Sequence, residues 1–121
     1  MTTRGMTEPA FFVLTALVER PLHGYGIVGE VAELSQGRVR MKVGTLYGVL
    51  DRLQGEGLVE LDHEEVQQGR LRRYYRITES GTGALTTETR RQASNAETAS
   101  RRLKKRLTEI PEGLALTGGL A

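Results

Sequence analysis

Hydrophobic positions recur at helical spacing through the first half of the chain, then switch to a period of two after residue 57. Behind Pro9, the residues Phe11, Phe12, Leu14, Ala16, Leu17 and Val18 cover most of a helix surface. Proline suits a first helical turn, where its missing N–H costs nothing. The pattern predicts a helix ending near Arg20, ahead of Pro21. PLHGYG, residues 21–26, reads as a turn that opens a second helix. Tyr25, Val28, Val31, Ala32 and Ser35 then fall at helical spacing, and Gln36-Gly37 ends the element. RVRMK, residues 38–42, alternates basic and apolar residues like a short extended segment. A third helix starts near Gly44, with Val43, Leu46, Val49, Leu50 and Leu53 on one face and Gly44, Gly48, Asp51 and Arg52 opposite. Thr45 and Tyr47 lie on its flanks, and Gly55 and Gly57 close it.

The alternating stretch LVELDH, residues 58–63, places Val59, Leu61 and His63 on one side of a strand. EEVQQG reads as a polar turn, and RLRRYYRI returns as a second strand. On that strand Leu71, Arg73, Tyr75 and Ile77 face one way, and Arg70, Arg72, Tyr74 and Arg76 the other. Thr78 is an N-cap, and a long helix runs from there to about Thr108. Its apolar positions are sparse: Leu85, Ala93, Ala96, Leu103, Leu107 and Ile110. At 1.5 Å per residue, roughly 30 residues reach about 45 Å, more than so small a core needs. The tail PEGLALTGGLA, residues 111–121, is expected to be disordered.

Composition narrows the chemistry. A chain of 121 residues is one domain's worth, and without cysteine it has no disulfide or thiolate metal site. His23 and His63 lie far apart in sequence with no acidic ligand pattern, so no metal or cofactor is expected. AFFVLTALV is too short to span a bilayer, and a cytoplasmic location is expected. Net charge is only +2, but residues 1–60 hold 6 Lys/Arg against 7 Asp/Glu and residues 61–121 hold 11 against 8. The basic residues cluster at 70–76 and in RRLKKR, residues 101–106. A nucleophile–base pair, a carboxylate pair in a plausible cleft and a phosphate-binding glycine loop are all missing from the sequence, which argues against an enzyme.

Three helices, a two-stranded hairpin and a long helix give a mainly α (α+β) chain with a winged helix-turn-helix. The stretches PLHGY, GTLYGVLDRLQGEGLVE and GRLRRYYRIT resemble, as a joint signature over roughly residues 9–85, the PadR family of transcriptional regulators. Gly48 and Leu71 stand where that family usually carries proline, and Lys42-Val43 where it commonly has Ser-Pro. The resemblance implies a homodimeric repressor, released by a small-molecule or stress signal, on a pseudo-palindromic double-stranded operator. It divides the chain into a winged helix-turn-helix over 1–78, a dimerisation helix over 79–110 and the tail. The third helix enters the major groove, the wing touches the backbone or minor groove, and the long helix makes the dimer.

Residue by residue, the expected DNA contacts are Tyr25, Lys42, Gly44, Thr45, Tyr47, Gly48, Arg70, Arg72, Arg73 and Tyr74. Guanidinium groups grip phosphate in a bidentate way. Gly48 lets the backbone approach closely, and Tyr25 opens a helix whose N–H groups can hold phosphate. Arg73 has an ion pair within the domain as its alternative role, Tyr75 is a core residue, and His23 hydrogen-bonds its own turn. The expected dimer interface is Phe11, Phe12, Leu85, Ala93, Ala96, Leu103 and Leu107. A winged-helix protein-interaction module without DNA binding is the competing reading. The basic wing argues against it.

Overall fold

The computed structural model describes residues 5–109. Its order is α1 (Glu8–Ala16), β1 (Leu22–His23), α2 (Gly24–Leu34), α3 (Val43–Gly55), β2 (Val59–Gln67), β3 (Arg70–Ile77) and α4 (Glu79–Thr108). The strands form one antiparallel sheet in the order β1-β3-β2. The described chain falls into two compact units, residues up to Glu88 and residues from Thr89 on. Ile110 and the tail 111–121 lie outside the described residues.

Capping chemistry sets most of the helix ends. Thr7 Oγ1 accepts from the Ala10 N–H at 3.2 Å, with Pro9 in the first turn of α1. That helix ends at Ala16, four residues before Arg20, because Leu17 and Val18 tighten onto Leu14 and Thr15 and the chain must turn to lay Leu22 beside Tyr75. Helix α2 closes in a Schellman turn: the Gly37 N–H donates to Ala32 O at 2.8 Å while Gln36 and Gly37 take positive φ. Helix α3 ends the same way, Gly57 at φ +77° letting the Leu58 N–H reach Leu53 O at 2.9 Å.

The first unit has one core. Val13, Leu14 and Leu17 of α1 and its end, Ile27 and Val31 of α2, Leu46, Leu50 and Leu53 of α3, Val59 and Tyr75 are all buried. Tyr25 is not part of the buried stripe of α2. That stripe runs through Gly24, Ile27, Val31 and Ser35, one register away, and Tyr25 is 62% exposed.

The wing departs from the sequence reading in two ways. Strand β2 continues to Gln67, so EEVQ is strand and only Gln68-Gly69, both at positive φ, makes the turn. A bulge between Leu61 and His63 also inserts Asp62, which moves His63 to the face opposite Val59 and Leu61. His63 therefore pairs with Tyr74, on the arginine face.

Thr78 does cap α4: its Oγ1 accepts from the Gly81 N–H at 2.9 Å, and its own N–H donates to Leu58 O at 3.0 Å. Gly81 is required there, because a side chain would overlap the Leu58 carbonyl oxygen. Leu85 packs on the core of the first unit.

Candidate nucleic-acid interface

The start of α3 presents a polar, open surface. Leu46, Leu50 and Leu53 turn inward, leaving Lys42, Gly44, Thr45, Tyr47 and Gly48 exposed. A Cβ at Gly44 or Gly48 would meet nothing, so the backbone there is bare. Side chains cap α1, α2 and α4, but Lys42 at the N-cap of α3 gives no side-chain hydrogen bond. The first N–H groups of α3 thus keep their donor capacity and the positive end of the helix dipole.

Beside this end lies a cleft of about 220 Å³, lined by His23, Gly24, Tyr25, Val43, Tyr47, Arg70, Leu71, Arg72 and Arg73. It forms because β1 is two residues long. Only Tyr74 and Tyr75 of β3 have β1 partners, so residues 70–73 run on as a free edge beside the N-termini of α2 and α3. Tyr47, 41% exposed, leans its hydroxyl onto Gly24, where an added Cβ would lie 2.9 Å from it. The cleft joins two helix N-termini to basic side chains, a combination suited to anions.

The four wing arginines are in different electrostatic states. Arg76 is tied to Glu60 at 2.6 Å and Asp62 at 3.2 Å, and Arg73 to Glu64 at 3.0 Å. Each of the glutamates faces its arginine across the β2–β3 register. Among the described residues Arg70 and Arg72 have no ion pair. Arg72 Nη1 lies 3.3 Å from both ring nitrogens of His23, and its Nε is covered without a hydrogen-bond partner. Tyr74 sits between the two histidines, edge-on to His23 at 5.2 Å and stacked on His63 at 4.4 Å, with its hydroxyl accepting from Gln67 at 3.4 Å.

The histidines differ. His23 Nδ1 accepts from the Gly26 N–H at 3.4 Å and so caps α2; burial, then the Arg72 charge, hold its pKa below the usual imidazole value. His63 is gripped by Asp62 at 2.6 Å and Glu65 at 2.9 Å, and those hydrogen bonds raise its pKa.

The profile of the PadR-like family of transcriptional regulators matches residues 13–87. The chain belongs to the PadR-like family. Members are regulators of transcription rather than enzymes. A transcriptional regulator of Mycobacterium tuberculosis is 37% identical over 78 residues, which are 64% of this chain and 69% of that protein. The crystal structure of a PadR family regulator from Eggerthella lenta matches with a TM-score of 0.64 at 26% identity, over 78% of this chain and 80% of that one. Bacillus subtilis PadR, whose crystal structure is a complex with operator DNA, shares the fold with a TM-score of 0.57 at 24% identity, over 64% of this chain and 45% of that one.

The PadR-like winged helix gathers the residues expected from the sequence unevenly. Tyr25, Tyr47, Arg70, Arg72 and Arg73 line the cleft, and Lys42, Gly44, Thr45 and Gly48 are exposed at the start of α3. Arg73 is held by Glu64, and Tyr74 is held between rings. His23 and His63 are not among the DNA contacts expected from the sequence. Their association with Arg72 and Tyr74 depends on the β1–β3 pairing and on the bulge, and neither leaves a periodic trace in the sequence. Ala93, Ala96, Leu103 and Leu107 are exposed on α4, the leucines by 53% and 39%. No helix among the described residues is long and apolar enough to cross a membrane.

Proposed function

We propose that this PadR-like regulator is a homodimeric, sequence-specific repressor whose affinity for a pseudo-palindromic operator is lowered by a small-molecule or stress signal. The observation that carries DNA binding is the cleft. It sets the uncapped N-terminus of α3, the N-terminus of α2 and the unpaired Arg70 and Arg72 side by side. Lys42, Gly44, Thr45, Tyr47 and Gly48 meet the major groove and its rim. Arg70, Arg72, Tyr25 and Tyr47 meet phosphate, with Arg73 and Tyr74 contributing at the edge of the footprint. The operator complex of Bacillus subtilis PadR supports the same use of this shared fold.

Dimerisation is supported by the exposed stripe Ala93, Ala96, Leu103 and Leu107. Apolar residues along an exposed helix favour a second copy, and the small ones allow close approach. The first unit contributes Phe11 and Phe12, half-buried and edge-to-face at 5.2 Å, and Leu85 beside its core. An effector acts by favouring dimers whose recognition helices no longer match major grooves about 34 Å apart.

The test is binding to the chain's own upstream DNA and to a scrambled fragment across a salt series. Six to eight phosphate contacts per dimer give a slope of log K against log salt of about −5 to −7. Steep, fragment-selective binding is expected. Folded protein that binds neither fragment at low salt refutes the reading and favours a protein-interaction module.

A further inference from the structure

Of the three arginines that face a glutamate across the β2–β3 ladder, two close an ion pair and one does not. Arg76 meets Glu60 and Arg73 meets Glu64, but Arg72, opposite Glu65, does not meet it. Glu65 points elsewhere: its Oε2 lies 2.9 Å from His63 Nε2 and its Oε1 accepts from Gln67 at 3.0 Å. The bulge at Asp62 places both on the arginine face: His63 and Glu65, two residues apart on one strand, stand opposite Tyr74 and Arg72.

Arg72 has its own support. An atom 3.3 Å from both nitrogens of one imidazole would collide with Cε1 if it lay in the ring plane, so Nη1 lies over the ring face. The Nη1 N–H is therefore aimed at the ring face and does not make an in-plane hydrogen bond. The imidazole is itself held in place: Nδ1 caps α2 through Gly26, and the Tyr74 ring abuts it edge-on. The Nε of Arg72 is buried without a partner and no acid pairs with the guanidinium, so no carboxylate draws Arg72 to this place.

We propose that His23 and His63 are positioning residues for Arg72: His63 holds the Glu65 carboxylate away while His23 carries the guanidinium on its ring face, keeping the arginine uncompensated for a DNA phosphate. The other groups facing this cluster are Asp62 on β2, Tyr74 on β3 and Tyr47 on α3. The inference rests on the DNA-binding reading above and adds to it a reason why one arginine of the wing is free.

The experiment is operator binding with full-length variants, each checked for thermal stability, across the same salt series. Arg72→Ala should weaken binding about tenfold per wing, as loss of a hydrogen bond to a charged group does, and reduce the slope by about 1 per wing. His63→Ala releases Glu65 to Arg72 and should lose most of the same affinity. Adding Glu65→Gln should restore it when Arg72 is present and leave it unrestored when Arg72 is alanine. His23→Asn retains a good cap for α2 but no ring face; it should weaken binding in the wild-type background and have no further effect on Arg72→Ala. Wild-type binding with an unaffected His63→Ala, a rescue that persists without Arg72, or fully multiplicative His23 and Arg72 effects would overturn the proposal alone. Absence of wild-type binding would overturn it together with the DNA-binding reading.

Discussion

Gly81→Ala should destabilise the winged helix sharply, although alanine is the better helix former. Gly81 sits in the first turn of α4 against the end of the α3–β2 connection. A Cβ there would overlap the Leu58 carbonyl oxygen and lie 2.8 Å from Ile77 Cγ1 and 3.0 Å from the Leu58 carbonyl carbon. Leu58 O cannot simply move away, since it accepts the Thr78 N–H at 3.0 Å, and Thr78 in turn caps Gly81 at 2.9 Å. Overpacking of this kind costs about 1–3 kcal/mol. Its upper end applies here because the obstacle is backbone. Disrupting the cap adds about 1 kcal/mol. Replacing glycine in a helix returns about 1 kcal/mol. The net loss is about 2–3 kcal/mol, or a Tm lower by about 10–20 °C for a domain of this size. Thermal unfolding at fixed protein concentration measures it. Gly83→Ala is the control: a Cβ there meets nothing, so only the propensity gain remains and Tm should rise by a few degrees. If Gly81→Ala melts at or above the wild-type temperature, the close approach of α4 to Leu58 is wrong.

Two further outcomes follow from the site. Lys42→Ser supplies the missing side-chain cap of α3; stability should rise by about 1 kcal/mol in urea unfolding while operator affinity falls, and unchanged affinity would show that the open helix end and Lys42 do not meet DNA. The His63 pKa is raised by its bonds to Asp62 and then Glu65, and that of Asp62 is lowered chiefly by the same hydrogen bond. A raised imidazole pKa contributes stability that is complete below the ordinary value of 6.5 and lost as pH rises through the folded value. A lowered carboxyl pKa contributes stability above its ordinary value that is lost on acidification. Tm should therefore pass through a plateau between the two and decline on its alkaline side. His63→Gln should flatten that alkaline decline, and an identical profile in the variant would exclude this bridge as its source.

The local chemistry of the chain determined the helices, the caps and the family. Thr78, Gln36-Gly37 and Gly57 act on backbone groups a few residues away, so their effects are legible without tertiary structure. The leucines of α3 report their buried face because a helix repeats every 3.6 residues. Tertiary structure decided what no period encodes. The β1 strand exists only because Leu22 and His23 find Tyr75 and Tyr74 some fifty positions later, and that pairing shortens α1 and makes the cleft. The single inserted Asp62 reversed the facing of every later β2 residue, and set His63 opposite Tyr74 and Glu65 opposite Arg72. The four arginines of the wing read alike in sequence, but long-range geometry separates them: Arg73 and Arg76 are neutralised by facing acids, while Arg70 and Arg72 are left with their charge. Charge compensation depends on which carboxylate stands within reach, and that is fixed by register, a property of two strands together.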